Sequence, residues 1–337
     1  MATENVRPPL GEQRGRPSAS ARPTESRRAF GQVEGVPLHW VEFGERGDGT
    51  PVVLLHGLND SHATWRRVAP ALARDRLVLA LDLPGHGHSG RPDAGYELAW
   101  YARVVGRWLE ASGLERVDVV GHSFGGGVAQ MLLLEHRPRL RRLVLAAPGG
   151  LGKDIAFALR LASLPHVVER LGQPFMALGT RLALRVACEG LEREHVAERS
   201  AMNGREGTAR AFARTVRDLI DWRGQRHNFL ARAHELADLP PIAVLWGDRD
   251  GVIPAAHGEA LERAVEGVLF RKLAGRGHYL HHEDPEAFAA AVLDALDAPA
   301  WPPVRLRPAP PAPPARRRAL GERLARARLI GARSARA

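Results

Sequence analysis

Five short apolar runs alternate with helix-like segments along the middle of the chain. Dense Val, Leu and Ile predict strands that are covered on both faces, as in a parallel sheet. These runs occupy residues 51–57, 76–85, 116–123, 140–148 and 240–248. The helix-like segments occupy residues 61–73, 97–112, 124–136, 254–265 and 285–296. This alternation predicts a doubly wound α/β sheet with right-handed crossovers, preceded by an antiparallel strand at "GVPLHWVEFGE".

One long segment breaks the alternation. Residues 149–235 are rich in Ala, Leu, Arg and Glu and contain few strand-like runs, which predicts an all-helical insertion between two strands. An insertion at this point would lie over the carboxyl ends of the strands, where open α/β sheets bind ligands. We therefore predict a core of residues 29–148 and 236–297, and a helical cap, or lid, over its binding site.

The two ends of the chain differ from this body in composition. Residues 1–28 contain six Arg and three Glu, and residues 298–337 contain ten Arg and one Glu within long proline-rich stretches. Both segments are predicted to be largely disordered tails. Because the ends hold the excess of a formal net charge of +10, the body is nearly neutral and offers no basic groove for specific nucleic-acid binding. We expect only weak contact of the Arg-rich tail with anionic surfaces.

Targeting signals and cysteine usage favour the cytoplasm. No apolar segment approaches the roughly 20 residues that span a membrane, and the N-terminal 28 residues lack the apolar centre of a signal peptide. The single cysteine, Cys188, has no partner for an intramolecular disulfide and no second soft metal ligand near it in the sequence. We expect Cys188 to be a buried small hydrophobic residue.

The stretch "VDVVGHSFGGGVAQ" places Ser123 between a predicted strand and a predicted helix. It satisfies the pattern G-x-S-x-G, in which a serine at a sharp turn is a nucleophile. Such a turn brings backbone segments close together, and Gly121 and Gly125 supply the clearance that side chains would block. This context favours a nucleophile over an ordinary glycine turn, because the helix begins at the serine and its amides would face a developing anion.

A serine nucleophile needs a base, and the base needs an acid that orients it. The last apolar run is followed by Asp248 and Asp250, and a later strand-like segment is followed by His278, His281 and His282. We predict His278 as the base because it follows a glycine-containing loop, whereas the other two histidines adjoin the start of a helix. We predict Asp250 as the acid, since Asp248 is better placed to brace the loop by backbone hydrogen bonds.

Two backbone N–H groups are expected to form an oxyanion hole, which stabilises the charge on the attacked carbonyl. One belongs to Phe124, directly after the serine, and the other to Leu58 in the loop after the first apolar run. We interpret His56 as a brace for that loop and His122 as a packing residue of the turn.

Five motifs in order resemble the α/β-hydrolase superfamily, in the branch with a helical cap after the sixth strand. They are "LLHGLND", "LDLPGHGHSGRP", "GHSFGG", "WGDRDGVIP" and "GRGHYLHHEDPEAF". The resemblance covers about residues 30–298 and implies a mostly parallel sheet of eight strands. It assigns Asp250 to the family's acid position, His278 to its histidine position and Leu58 to its oxyanion position, and it implies a structural role for Asp82.

The resemblance implies a serine esterase or related acyl hydrolase that needs no metal or organic cofactor. The many Leu, Ala and Phe residues of the insertion suggest a small-molecule substrate with an apolar acyl group. Ser123 argues against haloalkane dehalogenases and epoxide hydrolases, which have an aspartate at this turn, and His122 departs from the asparagine of carbon–carbon bond hydrolases. Carbon–carbon hydrolysis of diketones, cofactor-free haloperoxidase or perhydrolase chemistry, and a ligand-binding receptor with little turnover remain alternatives.

Overall fold

A central eight-stranded sheet organises the chain, whose computed structural model describes residues 26–163, 167–187, 192–236 and 238–307. The strands in chain order are β1 (Ser26–Val33), β2 (Val36–Phe43), β3 (Val52–Leu55), β4 (Val78–Asp82), β5 (Val117–His122), β6 (Leu140–Ala146), β7 (Ile220–Asp221), β8 (Gly224–Gln225), β9 (Ile242–Gly247), β10 (Val265–Glu266), β11 (Leu269–Leu273) and β12 (Arg305–Leu306). The large sheet has the order β1-β2-β4-β3-β5-β6-β9-β11. The β1–β2 and β2–β4 pairs are antiparallel and the other five pairs are parallel, so the predicted mostly parallel fold class is confirmed.

Helices connect the strands and fill the segment between β6 and β9. They are α1 (Ala69–Leu72), α2 (Leu98–Ala111), α3 (Phe124–His136), α4 (Phe157–Ala162), α5 (Val167–Leu171), α6 (Met176–Ala187), α7 (Arg193–Asn203), α8 (Thr208–Leu219), α9 (Phe229–Arg232), α10 (Ala256–Ala264), α11 (Leu280–Glu283) and α12 (Pro285–Asp297), with 3-10 helices at His62–Trp65, Arg137–Arg139, Gln173–Phe175 and Ala233–Glu235. No helix in the described part of the chain is long and apolar enough to cross a bilayer.

The strands that precede Leu58, Ser123 and Asp250 are fully buried, whereas β11, which precedes His278, is partly exposed. Every residue of β3, β4, β5 and β9 is buried, because helices cover both faces of a parallel sheet. The five apolar runs of the sequence contain β3, β4, β5, β6 and β9. The loops that follow the strands therefore open at one edge of a rigid sheet, where ligands bind in folds of this type.

The segment between β6 and β9 is the predicted insertion, but it is not wholly helical. It holds α4 to α9 together with the short antiparallel pair β7 and β8. The prediction missed this hairpin, which depends on local turn chemistry. Gly224 has a φ of 121°, and the side chain of Asp221 accepts a hydrogen bond from the amide of Arg223 at 2.7 Å. We call residues 149–235 the helical insertion below.

The helix predicted at residues 61–73 is wrong as a continuous element. The chain forms a 3-10 turn at His62–Trp65 and then the single helical turn α1, which has Pro70 near its start. The amide of His62 donates to the carboxylate of Asp82 at 2.6 Å, so this turn is fixed by a partner that is 20 residues away. Local periodicity carries no information about such a partner.

Both predicted tail boundaries differ from the structure by a few residues. Residues 26–28 belong to β1, in which Ser26 pairs with Phe43. At the other end, the indole of Trp301 donates to the carbonyl of Gly267 at 2.9 Å, and β12 pairs with β10. Cross-strand pairing and one buried indole hydrogen bond order these short stretches despite their composition. Residues 1–25, residues 308–337 and Cys188 lie outside the described residues, so the predictions for them stay predictions.

Candidate active site

Ser123 sits at a sharp turn between β5 and α3. Its backbone has a φ of 53° and a ψ of −115°, a strained conformation for a residue with a side chain. A Cβ added to Gly121 would lie 2.5 Å from the carbonyl oxygen of Gly125, and one added to Gly125 would lie 2.3 Å from that of Leu55. Both glycines are therefore needed for the backbone approach that presents the serine.

We expect Gly125→Ala to destabilise the fold by about 3 kcal/mol, because backbone atoms have to move to admit the new methyl group. The matched control is Gly127→Ala in the same helix, where the added Cβ would be 3.7 Å from Leu98 and in ordinary contact. Alanine there is expected to leave stability unchanged or to raise it by up to about 1 kcal/mol. Urea unfolding of both variants measures the difference, and equal stabilities would contradict this explanation of the glycine.

The three predicted catalytic side chains meet at the carboxyl ends of the parallel strands. Ser123 follows β5, Asp250 follows β9, and His278 lies in the loop after β11. The Oγ of Ser123 is 2.9 Å from the Nε2 of His278, and the Nδ1 of His278 is 2.8 Å from the Oδ2 of Asp250. The histidine is thus within hydrogen-bond reach of both the serine and the acid, which is the geometry of a serine–histidine–aspartate triad.

Asp250 is held as a buried carboxylate by four donors. Besides His278, the indole of Trp246 donates to Oδ2 at 3.0 Å, and the amides of Val252 and Ile253 donate to Oδ1 at 2.8 and 3.0 Å. Burial favours the neutral acid, but the hydrogen bond and charge of His278 and these amides outweigh it, so the pKa of Asp250 lies below its usual value. The carboxylate is therefore charged at neutral pH and can orient the imidazole.

The alternative acid and bases from the sequence lie elsewhere. The side chain of Asp248 is exposed and accepts a hydrogen bond from the amide of Gly275 at 2.7 Å, which is the predicted loop brace. The Nε2 atoms of His281 and His282 are each 2.7 Å from the hydroxyl of Thr64. Burial lowers the pKa of His281 well below its usual value and that of His282 to about 3, so both rings are neutral.

The peptide between Ser123 and Phe124 has a fixed orientation. The carbonyl oxygen of Ser123 accepts hydrogen bonds from the amides of Gly126, Gly127 and Gly149 at 3.0, 3.2 and 3.0 Å. Because a trans peptide is planar, its N–H points away from its C=O. These three bonds therefore set the direction of the Phe124 N–H, which is also the first amide of α3 and has no acceptor within the helix.

The peptide between Gly57 and Leu58 is fixed in the same way. The carbonyl oxygen of Gly57 is 2.8 Å from the Nδ1 of His56 and accepts from the amide of Asp60 at 3.2 Å. The Nε2 of His56 accepts from the amide of Leu83 at 3.0 Å, so Nδ1 carries the proton. Burial lowers the pKa of His56, which agrees with a neutral ring that braces the loop.

This loop lies beside the nucleophile. A Cβ added to Gly57 would be 3.6 Å from the Cβ of Ser123 and 3.1 Å from the Nδ1 of His122. The next residue is Leu58, so its N–H belongs to a peptide that lies beside Ser123. The hydrogen bonds to the Gly57 carbonyl, at the opposite side of the same peptide, fix the direction of this N–H. Two oriented amides on either side of a serine suit the stabilisation of an oxyanion.

His122 ties the turn to the loop of the base. Its Nε2 donates to the carbonyl oxygen of His278 at 2.9 Å. Burial, with a further contribution from the charge of His278, lowers the pKa of His122 to about 3, so the ring is a neutral donor. The ring therefore holds the backbone of His278 in place, a more specific task than the packing role that the sequence predicted.

Asp82 anchors a separate buried cluster. Its carboxylate oxygens lie 2.8 Å from the Nδ1 of His39 and 3.0 Å from the Nδ1 of His62, and they accept from the amide of His88 at 2.8 Å. Burial opposes ionisation, yet the hydrogen bonds of His39 and His62 hold the pKa of Asp82 well below its usual value. Among the described residues this is the group with the spacing of metal ligands, but its ring nitrogens face the carboxylate as hydrogen-bond donors. The contacts fit the structural role that the resemblance implies for Asp82.

Arg199, on α7 of the helical insertion, holds the loop of Leu58. Its Nε donates to the carbonyl oxygen of Asn59 at 2.7 Å and its Nη2 to that of Leu58 at 3.2 Å, while Nη1 pairs with the buried carboxylate of Asp60 at 3.0 Å. Burial favours neutral Asp60, but the guanidinium outweighs it and lowers the pKa of this acid to about 2. The guanidinium also lies over the ring of Tyr279, next to the base, with its carbon 5.5 Å from the ring centre.

Sequence reasoning missed Arg199 and Asp60. Arg199 and Asn59 are 140 positions apart, and Arg199 is one of many arginines in the insertion. No local pattern marks it, because its role depends on where α7 docks. The indole of Trp246, by contrast, stands in the quoted motif "WGDRDGVIP" and was open to recognition.

We expect Arg199→Lys to lower kcat by at least tenfold with little change in KM, because the loop of Leu58 would lose part of its support. Misplacing an oriented group by about 1 Å has effects of this size. Lysine keeps the charge for Asp60 but lacks the planar fork that binds two carbonyl oxygens at once. The matched control is Glu198→Gln on the same helix, whose side chain pairs with Arg66 and not with the loop. Steady-state kinetics of both variants, with thermal unfolding in parallel, separate a positioning role from a stabilising one. Wild-type kcat in Arg199→Lys would contradict the assignment.

Comparisons with known proteins identify the fold family. A protein of Mycobacterium tuberculosis described as uncharacterised is 34% identical over 265 residues, which cover 76% of this chain and 77% of that protein. A 2-hydroxymuconate semialdehyde hydrolase of a Pseudomonas species is 42% identical over 120 residues, covering 34% of this chain and 42% of that enzyme. The crystal structure of Cfl2 from Burkholderia cenocepacia superposes with a TM-score of 0.70 at 27% identity and covers 82% of this chain and 97% of its own. The family model described as alpha/beta hydrolase fold matches residues 50–285, and the chain belongs to that family.

Proposed function

We propose that this protein is a serine hydrolase that cleaves carboxylic esters through an acyl-enzyme. The observation that carries the proposal is the continuous hydrogen-bonded path from Ser123 through His278 to Asp250, at 2.9 and 2.8 Å. Such a path lets the imidazole take the hydroxyl proton as the oxygen attacks a carbonyl, and the charged acid stabilises the imidazolium that forms. The protonated imidazole then donates to the leaving alcohol, and water activated by the same ring releases the acid. No metal or organic cofactor enters these steps.

The amides of Leu58 and Phe124 are proposed to bind the oxyanion of both tetrahedral intermediates. Each donor of this kind contributes about 3 to 4 kcal/mol to the transition state. Both amides belong to peptides whose carbonyls are already hydrogen-bonded, so little reorganisation is needed when the charge forms.

The substrate is proposed to carry an apolar acyl group, bound beneath the helical insertion. Three partly buried apolar side chains adjoin the triad loops: Leu58, Val252 two residues after the acid, and Ile155. The amide of Ala156 donates to the carbonyl of Val252 at 2.8 Å, which brings the start of α4 against the acid loop. An insertion that reaches the acid loop suits a cap that excludes water from the acyl-enzyme.

A panel of p-nitrophenyl esters from acetate to palmitate tests the ester specificity, and a fluorophosphonate label tests the nucleophile. We expect hydrolysis of at least one ester and labelling at Ser123 that the denatured protein does not show. Labelling without hydrolysis of any ester would contradict the substrate class and leave the activated serine in place. Absence of labelling in the folded protein would contradict the nucleophile itself.

Hydrolysis of carbon–carbon bonds is the second candidate, because a 2-hydroxymuconate semialdehyde hydrolase is 42% identical over 120 residues. His122 stands where enzymes of that reaction commonly have asparagine, which favours the ester reading. Incubation with 2-hydroxymuconate semialdehyde distinguishes the two, and a higher kcat/KM on this compound than on every ester would reverse our preference.

A further inference from the structure

The outer face of the helical insertion exposes an unusual set of large apolar side chains. Eight of them are between 51% and 68% exposed: Phe157, Leu161, Val167, Leu171, Phe175, Leu178, Leu182 and Trp222. In the rest of the described chain the exposed large apolar side chains are Phe30 at 64%, Leu269 at 38% and Leu306 at 36%. Scattered exposed apolar residues are ordinary, but a concentration of them in one segment marks an interaction surface.

The positions of these side chains follow helical geometry. Three helices each carry an exposed pair four residues apart, Phe157 with Leu161 on α4, Val167 with Leu171 on α5, and Leu178 with Leu182 on α6. Residues with this spacing lie on one face of a helix. On α6 the opposite face is buried through Met176 and Leu184. The helix therefore has an inner apolar face that packs and an outer apolar face that faces solvent.

These elements contact one another within the insertion. Helices α4 and α5 and the 3-10 turn Gln173–Phe175 all pack against α8, and α6 follows that turn directly. Two arginines of α8, Arg214 and Arg217, bind the carboxylate of Glu169 on α5, with Arg214 at 2.8 Å. The ring of Phe157 contacts that of Trp222 at a centre distance of 5.8 Å. The acidic side chain of α5 is thus directed inward and its apolar side chains are directed outward.

The charged side chains of residues 155–187 are mostly basic. Residues 155–187 contain four arginines and a single acid, the Glu169 that α8 neutralises. Arg170, Arg181 and Arg185 are exposed, and none of them enters an ion pair with the described residues. Apolar side chains flanked by unpaired arginines match the interface of a bilayer, where the apolar groups enter the acyl boundary and the guanidinium groups meet phosphates.

We propose that the outer face of α4, α5 and α6 binds the surface of a bilayer that carries anionic lipid headgroups. A second copy of the chain fits this face poorly, because a two-fold contact would place the same unpaired arginines opposite one another. The two ends of the chain fit it poorly for the same reason, since both carry more arginine than acid. This docking surface does not depend on the proposed ester chemistry.

The helices that carry this surface also contact, on their inner side, the loops of the candidate active site. The amide of Ala156, the residue before α4, is bonded to the loop of Asp250. On the other side, the amide group of Asn203 donates to the hydroxyl of Thr180 on α6 at 3.1 Å and to the carbonyl of Asn59 at 2.8 Å. A bilayer bound at this face would therefore lie against the elements that frame the triad.

Vesicle flotation with the full chain tests the proposal, using phosphatidylcholine vesicles with and without phosphatidylglycerol. We expect binding only with the anionic lipid, and a fall of at least about tenfold in the partition coefficient for Leu171→Ser/Leu178→Ser/Leu182→Ser. The matched control replaces the three exposed apolar residues outside the insertion, Phe30→Ser/Leu269→Ser/Leu306→Ser, and is expected to bind like the wild type. Thermal unfolding confirms that both variants fold.

A second pair of variants tests the charge. Arg170→Gln/Arg181→Gln/Arg185→Gln is expected to weaken binding at low salt by about tenfold and to reduce its dependence on salt. Arg316→Gln/Arg317→Gln/Arg318→Gln removes the same charge from the C-terminal segment and is expected to change binding less. Binding that is lost only in this last variant would overturn the proposal. So would a wild type that binds no vesicles and forms a dimer by light scattering, if the triple serine variant is a monomer. Ser123→Ala is expected to float like the wild type, which separates failure of docking from failure of catalysis.

Discussion

Ser123→Ala is expected to lower kcat for ester hydrolysis by about 10⁶-fold, the size of effect seen when a triad nucleophile is removed. The hydroxyl bonded to the Nε2 of His278 at 2.9 Å is the atom proposed to attack, and alanine leaves the imidazole with nothing to activate. The oriented amides and the binding site remain, so a residual rate of about 10³- to 10⁴-fold over water is expected.

The backbone of the turn does not depend on the hydroxyl, so the variant is expected to fold. The carbonyl and amide of Ser123 make the bonds that fix the turn, and alanine keeps both. The matched control is Ser112→Ala at the end of α2, which is expected to retain wild-type kcat. Stopped assays of the best ester measure both variants, with circular dichroism to verify folding. Activity of Ser123→Ala within tenfold of the wild type would exclude this serine as the nucleophile.

The triad was accessible to sequence reasoning because each of its members stands in a local pattern. Ser123 lies between glycines where a strand gives way to a helix, and both Asp250 and His278 follow strand-like runs. Parallel strands end at the same edge of their sheet, so loops that are 127 and 155 residues beyond the serine return to it. The serine and histidine are 155 positions apart and yet hydrogen-bonded, so it is the sheet topology that brings them together.

The features that sequence reasoning missed depend on how separate elements dock. Arg199 binds a loop 140 positions earlier, and the helix predicted at residues 61–73 is interrupted where the amide of His62 meets the carboxylate of Asp82. Composition likewise placed residues 26–28 and 305–306 in disordered tails, although strand pairing orders them. In each case a contact distant in sequence overrides the local pattern, as tertiary packing commonly does.

Asp250→Asn is expected to lower kcat by about 10⁴-fold, whereas Asp248→Asn is expected to leave it near the wild-type value. Four groups donate to the carboxylate of Asp250, two to each oxygen. The asparagine side chain places an NH2 group where one of the carboxylate oxygens was. In either orientation of the amide, this NH2 group faces two hydrogen-bond donors. If the nitrogen faces His278, the imidazole takes the wrong tautomer and the indole of Trp246 loses its acceptor. If it faces the other side, two backbone amides lose theirs.

The same substitution two residues earlier avoids this conflict. Asp248 accepts one hydrogen bond, from the amide of Gly275 at 2.7 Å, and its side chain is exposed. An asparagine oxygen accepts that bond equally well while its nitrogen faces water. Comparing kcat for the two variants on one ester, with unfolding free energies, therefore tests the acid with a chemically identical change at a neighbouring position.

The pH dependence of the wild type adds a second readout for the acid. Because the pKa of Asp250 lies below its usual 3.8, this carboxylate stays charged as the pH falls from 8 to 5, so protonation of the acid is expected to cause no loss of activity in that range. A large loss of kcat confined to Asp248→Asn would assign the acid to Asp248 instead.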